Sequence, residues 1–423
     1  MRLVDLKSLI KTDLKLDISL TKVSRVVSQA HILQEGEIKA EFALLWDYLG
    51  EIIRPNPGST TLMKVERPLP ESPSVFKRLF ISFDCLKKGM LHGCRRVIGL
   101  DIFFLKGPVK GEILAAVGRD GNNQMFPVAW ALVDTERRET WDWFISFLLM
   151  VLNWVLGQDG ALSQTNKRHL YANWKKKNER REDLQKLWWR CAKSSNMPDF
   201  DKNMEAMRAL TQKGAYFTTE VKCGIVDNNL IEAFNGKIIE ARTKNVISML
   251  EYIRSLIMNT LDTNRDLASN WIGNFGNRIR KKLHDSKVQS EACEILWNGK
   301  DGFEIGHLGD TYIVNLKTRT CACRQFDLTW IPCPDAVCAI EYLDKSNITP
   351  YNYIDQWFTK ETYLKAYMYM MQPMNGRKFW NKSPYDPPQP PSYKKKCLVD
   401  LPKIEEKKRV RDPVGLNCLE RVG

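Results

Sequence analysis

The stretch EILAAVGRDGNNQMFPVAWALVD sets two β-rich runs on either side of RDGNNQ, whose Asp-Gly and Asn residues have the chemistry of a tight hairpin turn. A tight turn joins antiparallel neighbours, so this part of the chain is committed to an antiparallel sheet. Two more β-rich runs, FKRLFISFD and RRVIGLDIFFLK, come just before it, and an apolar helix is predicted from Glu139 to Leu156. The expected fold class is therefore α+β.

The flanking sequence divides into four parts. Residues 1–54 place apolar side chains at three- and four-residue spacing in LVDLKSLIKTDLKL and in the run that follows, with Ser19 or Thr21 as N-cap. Two short helices there fit a helix-turn-helix, and equally a helical lead-in to the next domain. RPNPGSTTLMKVERPLPESPS, broken by prolines and Gly58, reads as a boundary followed by edge strands, so residues 55–290 form the central domain. Within it lie two helical blocks with basic outer faces. One runs from RHLYANWKKKNERR through KNMEAMRALTQ, the other from NNLIEAFNGKIIEARTKNVISMLEYIRSLIMNTL to IRKKLHDSK. Residues 291–345 return to strands in FEIGHLG and DTYIVNLKTRTCAC and close on the helical PDAVCAIEYLDK, a small separate module. Residues 346–423 form a C-terminal tail rich in Pro and Lys, read as extended or disordered from Pro373 onward.

Composition narrows the function. A hydrophobic content of 43% with 13 Trp and 17 Phe can fill real cores, which excludes a disordered chain. A formal net charge of +14 favours polyanionic partners such as DNA or RNA. Eleven cysteines, an odd number scattered along the chain, argue against a disulfide framework and for a reducing compartment. The most apolar stretch, WFISFLLMVLNWVL, is too short to span a bilayer and reads as a buried helix, so no membrane role is expected.

CACRQFDLTWIPCPDAV sets Cys321, Cys323 and Cys333 at spacings from which three thiolates can converge on a tetrahedral Zn²⁺. Asp335, at the start of the last helix, and Cys338, one helical turn beyond, compete for the fourth position. The same residues also suit the core of a module without a metal, since buried cysteines behave as small apolar groups.

CACRQFDLTWIPCPDAVCAI resembles the SWIM zinc finger, whose pattern is CxC, a spacer, then CxH, with Asp335 standing where the family has His. IGLDIFFLKGPVKGEILAAVGRDGNNQMFPVAWALVDTERRETWDWF looks like the start of the catalytic core of plant Mutator-like element (MULE) transposases. LWDYLGEIIRPNPGST, RHLYANWKKK, RCAKSS and VDNNLIEAFNGKIIEARTKNVISMLEYIR look like further parts of that family, so the resemblance spans residues 10–380 in outline. It implies a nuclear DNA transposase architecture. A ribonuclease H-like core with helical insertions follows a small helical region and precedes the finger.

Such a core uses three acidic ligands and two divalent ions, Mg²⁺ where it is active. The first acid maps onto Asp101 and the third onto Glu232. The second is missing, because NWVLGQDGALSQTNKRHLYANWKKK passes from one helix directly to the next, and Asp159 reads as a residue of a Gly-rich loop. The expectation is a transposase-derived protein that binds zinc and DNA but has lost transposition chemistry. DNA contacts fall to Lys175, Lys176, Lys177, Arg280, Lys281 and Lys282. A non-catalytic regulator that binds DNA or protein, and a decayed element without selected function, fit the same departures. No particular protein partner is indicated.

Overall fold

The computed structural model describes residues 2–156, 186, 190, 197–210, 229–300, 302–343 and 348–391. The chain divides into two compact units, Met1–Gly36 with Ser392–Gly423, and Glu37–Pro391. In the first, α1 (Leu3–Asp13) opens with Arg2 and Asp5 bonded across its first turn. The next helix, α2 (Leu20–Ala43), starts where Ser19 Oγ accepts the Lys22 N–H at 3.3 Å, so Ser19 is the cap. From Glu37 onward the residues of α2 belong to the second unit.

The second unit is built on a five-stranded antiparallel sheet. Its strands are β1 (Thr60–Glu66), β2 (Val75–Ser82), β3 (Cys94–Phe104), β4 (Glu112–Asp120) and β5 (Met125–Val133), in the order β1-β2-β5-β4-β3. The RDGNNQ turn closes β4 on β5. Asp120 Oδ1 accepts the backbone N–H groups of Asn122 at 2.9 Å and Gln124 at 2.7 Å, and Asn123 takes the left-handed φ of 57° that the turn requires.

Every residue of β5 is buried, so both faces of the sheet are covered. Register assigns the faces. Asp101, Ala115, Trp130 and Ile81 form one cross-strand row, and Ile102, Leu114, Ala131 and Phe80 the row facing the other way. Phe80 meets Phe144 of α5 (Arg138–Leu156) at 5.7 Å between ring centroids. Phe103, on the Asp101 face, meets Phe234 of a later helix at 6.4 Å. Among the described residues β3, which carries Asp101, is an edge strand.

Two further regions join the core of the sheet. α3 (Leu45–Ile53) buries Leu45, Tyr48 and Ile52 in the same cluster as the strands. Residues 348–391 also pack there. Their helix (Lys360–Tyr367) lies against α4 (Asp84–Gly93), where Gly89 and Gly93 leave the room that the Ala366 backbone occupies. Tyr363, Tyr367 and Trp380 are buried in the sheet's core. Farther on, Asp47 Oδ1 accepts the Ser383 N–H at 2.7 Å, and Gln389 exchanges backbone bonds with Ser74 and Phe76. A polar composition concealed three aromatic anchors.

Three helices are described between α5 and the next sheet before the last long one: α6 (Met197–Leu210), α7 (Asn229–Lys237) and α8 (Val246–Ser269). The run read as one helical block thus breaks between α7 and α8. There Arg242, 6% exposed, turns inward and donates from Nε to the Phe104 carbonyl at 2.7 Å. The last long helix, α9 (Asn277–Ser290), leads to a second sheet of β6 (Glu294–Trp297), β7 (Gly302–His307), β8 (Asp310–Asn315) and β9 (Thr320–Cys321), in that order. Two short helices, α10 (Gln325–Thr329) and α11 (Pro334–Tyr342), complete the module. The whole is a mixed α+β fold with two open sheets.

Candidate metal centre

The second sheet positions the cysteines. Phe303, Ile305, Val314, Phe326, Ala336 and Ile340 form a small core between its strands and α11, so β9 and the start of α11 come together. The Cys321–Cys323 turn is folded by local chemistry. Arg324 adopts φ 63° and donates its N–H to the Cys321 carbonyl at 2.8 Å, while Asp327 accepts from the Cys321 N–H at 3.3 Å and from Arg324 Nε at 3.1 Å. Cys333 caps α11, its Sγ accepting the Ala336 N–H at 3.4 Å. Pro334 follows at the first helical position, where its missing N–H costs nothing.

The ligand atoms of Cys321, Cys323, Cys333 and Asp335 all lie within 4.8 Å of one another. Asp335 is 1% exposed, and its Oδ2 stands 3.2 Å from Cys321 Sγ and 3.6 Å from Cys333 Sγ. A sulfur at about 2.3 Å and an oxygen at about 2.0 Å from one tetrahedral ion are separated by about 3.5 Å. The donor set therefore fits a divalent metal of the zinc type in both spacing and chemistry. Its electrostatics agree. The Cys321 and Cys333 thiols hydrogen-bond to Cys323 and pull its pKa well down, whereas burial, and then the charge on Cys323, raises that of Asp335. Cys321 is pushed up because its proton is held between sulfurs, first by Cys323. A bound cation would replace those protons.

Cys338 does not join this group of four. It adjoins Cys293, which stands just beyond the end of α9 and whose pKa is raised first by burial and then by the charge of Cys338. The ligand atoms of Cys293, His307 and Asp335 also lie within 4.8 Å of one another, and His307 Nδ1 is 2.8 Å from Asp335 Oδ1. Sequence reasoning missed Cys293, His307 and the clamp Asp327. Position in FEIGHLG was the available signal for His307, since it ends a strand just before a two-residue turn in which Leu308 and Gly309 have φ of 53° and 86°.

The other sequence-derived residues lie elsewhere. Asp101 is partly exposed in β3 and accepts the Ile102 N–H at 2.9 Å, while Glu232 is exposed on α7, the helix whose Phe234 reaches the Asp101 face. Among the described residues, neither belongs to a group of three metal-ligating side chains. Lys175, Lys176, Lys177 and Asp159 lie outside the described residues. On α9, Lys281 is exposed and Arg280 and Lys282 are half-exposed. Burial, then the charges of Arg95 and Arg119, lowers the pKa of Lys282 to about 8. Arg95 and Arg119 are cross-strand partners in β3 and β4, so three cations gather at one end of the first sheet.

Residues 97–159 match the MULE transposase domain. The match begins in β3, takes in Asp101, the β4–β5 hairpin and α5, and covers a small part of the 423-residue chain. Comparison with curated proteins and with solved structures returns no match. Among the described residues, no helix is long and apolar enough to cross a membrane.

Proposed function

We propose that the chain is a Mutator-like transposase-derived protein whose SWIM-type finger binds Zn²⁺ and which binds DNA in the nucleus without carrying out transposition. The reading is carried by a pocket of three thiols and a buried carboxylate downstream of a MULE-domain segment. The β3-β4-β5 meander followed by α5, with Asp101 in its first strand, supports a ribonuclease H-like core. Zn²⁺ would be held by Cys321, Cys323, Cys333 and Asp335, and its chemistry there is structural: four protein donors close a tetrahedral site. Among the described residues no comparable set is offered to Mg²⁺. Two-metal catalysis needs carboxylates that bridge two ions, and among the described residues Asp101 and Glu232 do not form such a group.

Lys282 lies close enough to Arg95 and Arg119 for their charges to lower its pKa, and this half-exposed group of cations is the surface of the unit we assign to a phosphate backbone. Arg280 and Lys281 extend the positive surface along α9.

Titration of the full chain with a random-sequence duplex tests the reading. Affinity should fall steeply between about 50 and 200 mM salt, by roughly one power of salt for each phosphate neutralised, and Lys281→Ala should reduce that slope by about one. Cleavage assays with Mg²⁺ or Mn²⁺ should show no strand scission on inverted-repeat DNA and no change on Asp101→Ala. A flat salt response removes the DNA-binding role, and metal-dependent cleavage lost in Asp101→Ala makes the protein an enzyme.

A further inference from the structure

Asp335 uses its two oxygens separately. Oδ2 faces the thiols of Cys321 and Cys333, and Oδ1 faces His307 Nδ1 at 2.8 Å. Beside Asp335, ligand atoms of two residues from separate elements converge within 4.8 Å of it and of each other: Cys293 from the turn after α9 and His307 from the end of β7; Cys338, on α11 one helical turn beyond Asp335, lies outside that group. Cys338 adjoins Cys293 closely enough to raise its pKa, after burial, and we take it as the fourth donor. His307 has a side chain only 13% exposed, so both donors of the Asp335–His307 contact are shielded from water.

We propose that the finger module holds a second metal ion, bound by Cys293, His307, Cys338 and Oδ1 of Asp335, with Asp335 bridging the two ions. The inference rests on the zinc reading of the first site. Two thiolates, an imidazole and a carboxylate are a complete tetrahedral set for Zn²⁺. The nitrogen and oxygen donors of such an ion stand about 3.3 Å apart, so the His307–Asp335 contact must open by about 0.5 Å to admit it. On binding, the two thiol protons pass to solvent and the imidazole offers Nδ1 with its proton on Nε2, leaving the ion with anionic donors on three sides. The bridge also gives the departure from the finger pattern a chemical meaning. A neutral imidazole has one lone pair to offer a metal, whereas a carboxylate can place one oxygen on each of two ions.

Stoichiometry in the full chain decides it. The protein would be purified under a non-thiol reductant, its zinc measured by elemental analysis, and its cobalt form read by thiolate charge-transfer absorbance. The wild type should carry about two ions per chain. Cys293→Ser and His307→Ala, on different elements, should each drop it to about one while circular dichroism stays unchanged. Asp335→His should do the same, keeping the ion of the Cys321 site and losing the other, whereas Cys333→Ser should remove the first ion. One ion per chain that survives His307→Ala and disappears in Cys333→Ser overturns the second site alone, leaving His307 as a group that orients Asp335. Zinc content near zero in the wild type overturns both sites.

Discussion

The two sheets of the molecule are held by different means. Around the first, a continuous apolar core runs from α3 through all five strands to α8 and on to Trp380, with both faces of β5 sealed. The second sheet has a far smaller apolar cluster, and three thiols and a carboxylate gather within it. A domain of the first kind is stable through buried area. One of the second kind has less area to draw on, and a metal held by those thiols and the carboxylate would add to it.

The largest effect expected from this contrast is on metal removal. Structural zinc contributes on the order of 10 kcal/mol to small modules. Chelation, or Cys333→Ser, should therefore abolish amide-exchange protection in β7, β8 and α11 and leave β4 and β5 protected. Equal protection of residues 302–342 with and without chelator would show that the module's own apolar cluster suffices, and the comparison would fail. The reverse experiment sits in the first sheet. Phe80 is fully buried against Trp143, Phe144 and Phe147 of α5, so Phe80→Ala should destabilise the core by about 3–5 kcal/mol in urea melts followed by tryptophan fluorescence. Zinc content should not change. A loss of zinc in that variant would mean that the two regions fold as one.

How legible each region was in the sequence follows from the same contrast. The hairpin was readable because Asp-Gly-Asn-Asn chemistry is local, and the structure places Asp120 and Asn123 in the roles that turn requires. Ser19 was readable as a cap for the same reason. What escaped was long-range. Nothing in residues 346–391 announces that Ala366 will lie on two glycines of α4, or that Trp380 will fill space beside Tyr48. The break between α7 and α8 depends on Arg242 reaching the carbonyl of Phe104, a partner distant in sequence. Lys282 read as part of a basic face, and only the fold brings Arg95 of β3 and Arg119 of β4 near enough to lower its pKa. At the metal pocket, CxC and the later Cys carried their spacing in the sequence. His307 and Cys293 did not, since the turn of β7 into β8 and the end of α9 bring them to Asp335.

The smallest of the three effects concerns a charge inside the apolar core, where the contrast between the regions is sharpest. Asp120 is fully buried at the end of β4. Burial raises its pKa from 3.8 to about 6, although Tyr367 Oη donates to it at 2.7 Å, the N–H groups of Gln124 and Asn122 bond to it, and Arg278 is near. Because the folded-state pKa is the higher one, the folded protein binds this proton more tightly than the unfolded chain does. The stabilisation is complete below about pH 4 and is lost as pH rises through about 6, a swing of roughly 3 kcal/mol at most. Other carboxylates titrate in the same window, so wild type must be compared with Asp120→Asn at each pH. An amide keeps the oxygen that accepts from Asn122 and Gln124 but cannot ionise. Any fixed cost of turning its Nδ2 toward Tyr367 is the same at both pH values and cancels. The variant should therefore gain on the wild type by about 2 kcal/mol between pH 4.5 and pH 7.5 in urea melts of the core. A difference that stays constant with pH would mean that the hydrogen bonds from Tyr367 and the turn hold the ionised carboxylate as well as water does. The first sheet would then share with the metal pocket a polar centre that its fold fully satisfies.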